Sequence, residues 1–299
     1  MRNLCLVAIL ASTPTRAAHP QVTGLEAELR ARIRTDTAVV AIAYIDPVMQ
    51  DTLLINGLRR FHAASTMKVP VLIELGQRID RGELQWSTPI PVQNRFRSIV
   101  DSSEFQLNPT DDSDSTLYRL EGRSASVDSL AHLMIARSSN LATNLLIERL
   151  DPARVDATAH RLGADSIAVL RGVEDDKAYR VGRNNTTTAR DLARLLDALA
   201  TGRAASDSTS RRMLGFLLAQ EFNDGIPARL PPQVKVAHKT GEITAIAHDA
   251  AIVYPPARGP FVLVILTQGY ADRSEAARVM ADLAALVYRW AIRKPDPHE

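Results

Sequence analysis

The sequence predicts an α+β protein, an α/β sandwich in which an antiparallel sheet built from both chain ends carries flanking helices. An all-helical part is inserted in the middle. Three observations predict this. Strand-like runs lie near the two ends, helical periodicity fills the stretch between them, and 299 residues with 45% apolar content are enough to bury a large core. The expected division is a sheet-containing part at about 19–60 and 205–299 and an all-α part at about 61–204, joined as one unit.

Leu25, Leu29 and Ile33 recur at helical spacing over residues 24–35. Ala38 to Ile45 is rich in Val, Ile and Ala and stops at Asp46-Pro47, which reads as a buried strand with Thr52 to Ile55 as its hairpin partner. Ser65 to Ile79 reads as a helix ending near Gly82. Pro70 is tolerable there because the N–H it lacks belongs to the first turn. Residues 94–124 are polar and acidic and read as a long surface excursion. Helices follow over Ser126–Ala136, Leu141–Leu150 and Ala153–Leu162, the first two broken at Ser138-Ser139-Asn140. Residues 171–187 lack a period and read as a loop. Thr188 to Asp191 reads as a capping box opening a helix to about Ala200, with another over Ser206–Gln220. Three strands are expected at Val234–His238, Ile243–Tyr254 and Phe261–Gln268, the first two separated by Gly241. A final amphipathic helix runs from Ser274 to Trp290, with Ala276, Met280, Leu283, Val287 and Trp290 on one face.

Residues 1–18 have the pattern of a cleaved export signal: Arg2, an apolar run from Leu4 to Ala11, and a small residue at Ala17. The run is too short to span a bilayer. The single cysteine, Cys5, lies within it, so the mature chain would hold no thiol. Cleavage after Ala17 removes two arginines and no acid, leaving 34 basic residues against 34 acidic ones. A near-neutral chain without charge blocks offers no nucleic-acid footprint. These features predict a periplasmic or secreted chain without a stable membrane anchor, and a monomer is expected. The seven histidines show no metal-ligand spacing and no phosphate-binding glycine loop occurs, so no metal and no cofactor are expected.

Three motifs stand in order: Ser65-Thr66-Met67-Lys68, Ser138-Ser139-Asn140 and Lys239-Thr240-Gly241. A serine hydroxyl is nearly inert at neutral pH and needs a neighbouring base. On a helix Lys68 lies one turn beyond Ser65 on the same face, and burial or a cationic neighbour would lower its pKa enough for it to take a proton. The helix N-terminus favours negative charge developing at the serine. S-x-x-K, S-x-N and K-T-G in this order are a strong signal together. At these residues the chain resembles the class A serine β-lactamases and, more widely, the penicillin-recognising serine hydrolases, over about residues 24–293.

The resemblance implies a serine β-lactamase working through an acyl-enzyme on Ser65. Lys68 would take the proton, together with Glu174 acting through water, and Ser138 would protonate the leaving nitrogen. Asn140 would hold Lys68 and a substrate amide, and Lys239 and Thr240 a substrate carboxylate. Gly241 would admit the substrate to the backbone, and the N–H groups of Ser65 and Glu242 would form the oxyanion hole. Glu174, in Arg171-Gly172-Val173-Glu174-Asp175, occupies the place of the family's water-activating glutamate.

The chain also departs from the family pattern. Ser139 stands where Asp is typical, Ala178 where Asn follows the glutamate, and Asn185 where an Asp closes the loop onto an Arg. His248 and Gly225 occupy two places where an Arg usually serves the carboxylate subsite, and Glu242 sets an acid beside it. His248 can be read as a carboxylate ligand or as a core histidine. Two alternatives remain: a D,D-peptidase or esterase on the same fold, taking acyl-D-Ala-type substrates, and a penicillin-binding protein that acylates without turnover.

Overall fold

The computed structural model describes residues 20–34, 38–256 and 258–293. The export signal expected over 1–18, with Cys5, lies outside them. Among the described residues no helix is long and apolar enough to cross a membrane.

The chain begins with α1 (Pro20–Ile33), then a hairpin of β1 (Val39–Asp46) and β2 (Asp51–Ile55). After the short β3 (Phe61–His62), a 3₁₀ turn at Ala64–Met67 leads into α2 (Lys68–Asp80). Four short strands follow: β4 (Pro89–Pro91), β5 (Phe96–Arg97), β6 (Glu104–Phe105) and β7 (Ser124–Ser126). Then come α3 (Val127–Ala136), α4 (Asn140–Leu150), α5 (Pro152–Arg161), α6 (Asp176–Arg180), β8 (Thr186–Thr187), α7 (Ala189–Ala200) and α8 (Asp207–Leu218). The last third holds β9 (Lys235–Ile243), β10 (Ile246–Tyr254), β11 (Phe261–Gln268) and α9 (Arg273–Ile292).

Five strands make one antiparallel sheet in the order β2-β1-β11-β10-β9. The α+β class and the joining of both chain ends were legible in the sequence: β1 pairs with β11 from Val39 opposite Gln268 to Ile45 opposite Val262. Alternate residues of a strand face opposite sides. Val40, Ile42 and Tyr44 of β1 therefore enter a core with α1 and α9, while Ala41 and Ala43 enter a larger core with helices α2 to α5, α7 and α8. With both faces covered, β10 and β11 are buried almost end to end, which is why their sequences read as unbroken apolar runs.

Side-chain caps open several helices, the one expected at Thr188 among them. Ser126, Thr188 and Ser206 accept hydrogen bonds from the backbone N–H three residues on. Such a cap contributes about 1 kcal/mol.

The structure corrects three expectations. Gly241 does not end a strand: β9 continues through Lys239-Thr240-Gly241 to Ile243. The glycine serves a close approach, since a Cβ there would lie 2.9 Å from the Thr66 amide nitrogen and 3.0 Å from that of Ser65. Residues 94–124 are not simply a surface excursion, because Asn94, Ser98, Asp112 and Asp114 are buried, with Ser98 bonded to Asp175 and Asp112 to the start of α4. The 171–187 loop holds a one-turn helix, α6, capped by Asp175, and the strand β8.

Candidate active site

Ser65 sits on the 3₁₀ turn, partly exposed, after Ala64 whose φ of 44° lies in the left-handed region. Lys68 opens α2 and is fully buried. Its ammonium donates to the Ser138 carbonyl oxygen (2.6 Å), Ser138 Oγ (3.1 Å) and Asn140 Oδ1 (2.9 Å). Lys239, also fully buried, reaches across from β9 to donate to Ser138 Oγ (3.0 Å) and to the Thr240 carbonyl oxygen (2.8 Å). Three segments distant in sequence thus converge on the Ser138 hydroxyl. Ser65 Oγ accepts no hydrogen bond from Lys68 in this arrangement; the lysine is turned toward Ser138 and Asn140.

Both lysines are placed where an ammonium is disfavoured. Burial brings Lys68 down to about 7, against the opposing pull of Asp112 and then Glu174. Burial also holds Lys239 well below the ordinary lysine range, and the neighbouring Lys68 adds to this. A hydroxyl between two amines accepts from whichever is charged and keeps its own proton for transfer. Ser138 is itself held at φ 59°, a conformation that costs an L-residue about 1–2 kcal/mol. This residue closes α3 and sits just before α4, and the kink it makes is where its Oγ meets both lysines.

Glu174 also has a positive φ, 62°. Its carboxylate accepts from Asn140 Nδ2 (2.5 Å), so one asparagine holds Lys68 with its oxygen and Glu174 with its nitrogen. Burial raises the Glu174 pKa, and the Asn140 hydrogen bond works against that. Asn144, one turn further along α4, clamps the preceding residue: Val173 N donates to its Oδ1 (2.7 Å) and its Nδ2 donates to the Val173 carbonyl oxygen (3.1 Å).

The loop closes without an ion pair between its ends. Asn185 Oδ1 accepts from Leu170 N and Arg171 N, and its Nδ2 donates to the Arg171 carbonyl oxygen. Arg171 donates to the Arg183 carbonyl oxygen and to Asn184 Oδ1. Buried Asp175 stakes the loop to the 98–103 turn, accepting from Ser98 Oγ (2.8 Å) and Ile99 N (2.9 Å). Ala178 is buried in α6 and offers the site no side-chain amide.

Ser65 and Glu242 are shared by two pockets. One is lined by Ser138, Thr240, Gly241, Asp224 and Arg273, the other by Asn140, Glu174, His62 and Tyr179. Glu242 is ion-paired with Arg273 (2.5 Å), which also pairs with Asp224 (2.9 Å). Arg273, the first residue of α9, is therefore a guanidinium that lines the pocket holding Ser65, in a place the sequence did not suggest. Gly225 leaves no room for one, since a Cβ there would meet Asp249 Oδ2 at 2.7 Å. His248 is not a carboxylate ligand. Its Nε2 donates to the His62 carbonyl oxygen (2.9 Å), its Nδ1 accepts from Thr267 N (3.2 Å), and burial lowers its pKa to about 4. Both nitrogens are committed to the backbone and the ring is neutral.

Arg273, Asn144 and Asp112 were not singled out from the sequence. Only Asn144 left a signal, its four-residue spacing from Asn140. No group of His, Cys, Asp and Glu among the described residues is arranged to hold a metal ion.

A family model described as the beta-lactamase enzyme family matches residues 24–291. A beta-lactamase of Streptomyces albus G is 31% identical over 168 residues, covering 52% of this chain and 54% of that relative. The chain thus spans about half the length of the first curated relatives it matches. Beta-lactamase CTX-M-25 of Escherichia coli is 25% identical over 96% of this chain and 95% of its own. The crystal structure of a beta-lactamase from Sphaerobacter thermophilus DSM 20745 superimposes with a TM-score of 0.77 at 26% identity, covering 92% of this chain and 99% of that one.

Proposed function

Because the chain belongs to the beta-lactamase enzyme family, we propose that it opens β-lactam rings by way of an ester on Ser65. Asn140 is the observation that carries this reading: one side chain holds the two candidate proton carriers, Lys68 and Glu174, on opposite ends of its amide. A site for two half-reactions with a common nucleophile needs two such carriers within reach of one centre.

Ser65 Oγ attacks the lactam carbonyl carbon. Its proton passes to neutral Lys68, or through a water to Glu174. The developing oxyanion lies between the Ser65 and Glu242 N–H groups, on the side where Gly241 lets β9 come close. The C–N bond breaks as Ser138 gives its proton to the leaving nitrogen, and the adjacent lysines restore it. For hydrolysis Glu174 takes a proton from water, the hydroxide attacks the ester, and Ser65 Oγ leaves with that same proton, handed back by Glu174 directly or by way of Lys68, so that both carriers end as they began. Lys239 and Thr240 receive the substrate carboxylate, while Arg273 offsets the acid at Glu242. A periplasmic or secreted location is proposed from the sequence pattern of residues 1–18.

The test is a penicillin time course read by absorbance and by intact-protein mass spectrometry. Sustained turnover, with an adduct lost in Ser65→Ala, is the expected result. A stoichiometric burst without turnover would make the protein a penicillin trap. No reaction at all would favour the peptidase or esterase alternative.

A further inference from the structure

We propose that Asp112 is a positioning residue of the proton-transfer site, its buried carboxylate fixing the start of α4 and holding Asn140 and Lys68 by hydrogen bonding and charge. The kinetic part of this proposal rests on the β-lactam reading; the structural part does not.

The first N–H groups of a helix have no partner inside it. In α4, Asp112 takes two of them. Asn140 N reaches both carboxylate oxygens (2.9 and 3.0 Å), and Leu141 N reaches Oδ2 (2.9 Å). Ser139 Oγ accepts from the next, Ala142 N (3.3 Å). Tyr118 Oη and Asp114 N complete the shell of Asp112 at 2.9 and 3.1 Å. Asp112 is only 9% exposed, and among the described residues no cation forms a salt bridge with it. A buried carboxylate without a contacting cation is costly. A neutral cap would satisfy the same N–H groups, so the retained charge has another use. An anion at a helix N-terminus is favourable, and the helix residue it fixes is Asn140, the one that holds Lys68 and Glu174.

The charge acts on both carriers. Asp112 is the foremost influence keeping Lys68 protonated against burial, and it also raises Glu174. The other ionisable groups facing Lys68 are Glu174 from the 171–187 loop and Lys239 from β9. Around Asp112 they are Tyr118, Asp111 and Asp114, the last paired with Arg137.

The experiment is a titration of the Lys68 side chain by ¹³C NMR, in protein labelled at its five lysines. The signal is assigned with Lys68→Arg. Asp112→Asn keeps the shape and removes the charge, and it should move the Lys68 midpoint down by about one unit. The acid limb of penicillin acylation should move down with it. Tyr118→Phe takes one donor from the carboxylate and leaves its charge, so its midpoint should stay at or above the wild-type value. An unmoved midpoint in Asp112→Asn, or a lowered one in Tyr118→Phe, would reduce Asp112 to a helix cap. Should Asp112→Asn not fold, the shorter neutral variant Asp112→Ser takes its place, with the same lowered midpoint expected and an unmoved one overturning the proposal. Since the titration needs no substrate, a protein that never reacts with penicillin sinks the β-lactam reading and leaves this test standing.

Discussion

A lysine is a base only in its neutral form, and burial sets the point where Lys68 changes form at about 7. Below that value the ammonium dominates, so the single-turnover acylation rate should fall about tenfold for each further pH unit. Stopped-flow acylation between pH 5 and 8 reads this directly, and a flat profile would remove Lys68 as the acceptor. Glu174 carries a separate expectation. In Glu174→Gln the carboxamide keeps the loop but takes no proton, so the Ser65 ester should accumulate as a persistent adduct in mass spectrometry. Unchanged turnover would leave Glu174 a loop acid with no part in deacylation. Ser65, Lys68, Ser138 and Lys239 could be read from the sequence because their chemistry fixes short spacings within each motif. Arg273 and Asp112 could not. Their partners lie 31 and 28 residues away, at Glu242 and Asn140, and only the folded chain joins them. His248 stayed ambiguous because a strand position says nothing of what its two nitrogens meet.

Between residue and fold, the 171–187 loop behaves as an element held at its rim. Asn185 ties its two ends, Asn144 clamps Val173, and Asp175 fixes it to the 98–103 turn. Lys177 adds an exposed ion pair with Asp101 (2.6 Å), a contact of the kind that contributes little. Asp175 is the stake whose loss should be felt. Asp175→Ala should slow deacylation at least about tenfold by freeing Glu174 from its left-handed backbone. Acylation should change less, because Lys68 is positioned from α4. Rapid-quench measurement of both steps separates them, and equal losses would mean a general failure to fold. The helices were legible because their caps and apolar stripes are local. The end of β9 was not, because a glycine that admits a neighbouring backbone looks in sequence like a glycine that turns a chain.

Across the whole molecule, His248 joins β10 to β3 and to β11. Protonation would place a hydrogen on Nδ1, facing the Thr267 N–H that this nitrogen now accepts. The folded pKa of about 4 lies below the ordinary 6.5, so between these values the unfolded chain binds more protons. The contribution is therefore intact above about pH 6.5 and is lost as pH falls toward 4, on the order of 3 kcal/mol in all. Urea unfolding at pH 7 and pH 4.5 should show a steeper loss for the wild type than for His248→Gln. Equal losses would mean that the ring is not kept neutral by the fold. The sheet order has a further consequence, for how the protein comes into being. Strand β1 is made early, yet the strand that covers its inner edge is β11, after most of the chain has been laid down. Such long-range pairing is slow, and until it happens the β1–β2 hairpin presents an open edge able to pair with other chains. Ser65, Lys68, Ser138 and Lys239 are all made before β11 is, but β9 joins β1 only through β10 and β11, so Lys239 has no fixed place until then. The nascent chain is therefore inert and at its most aggregation-prone at the same time, and activity should appear only with the closing of the sheet.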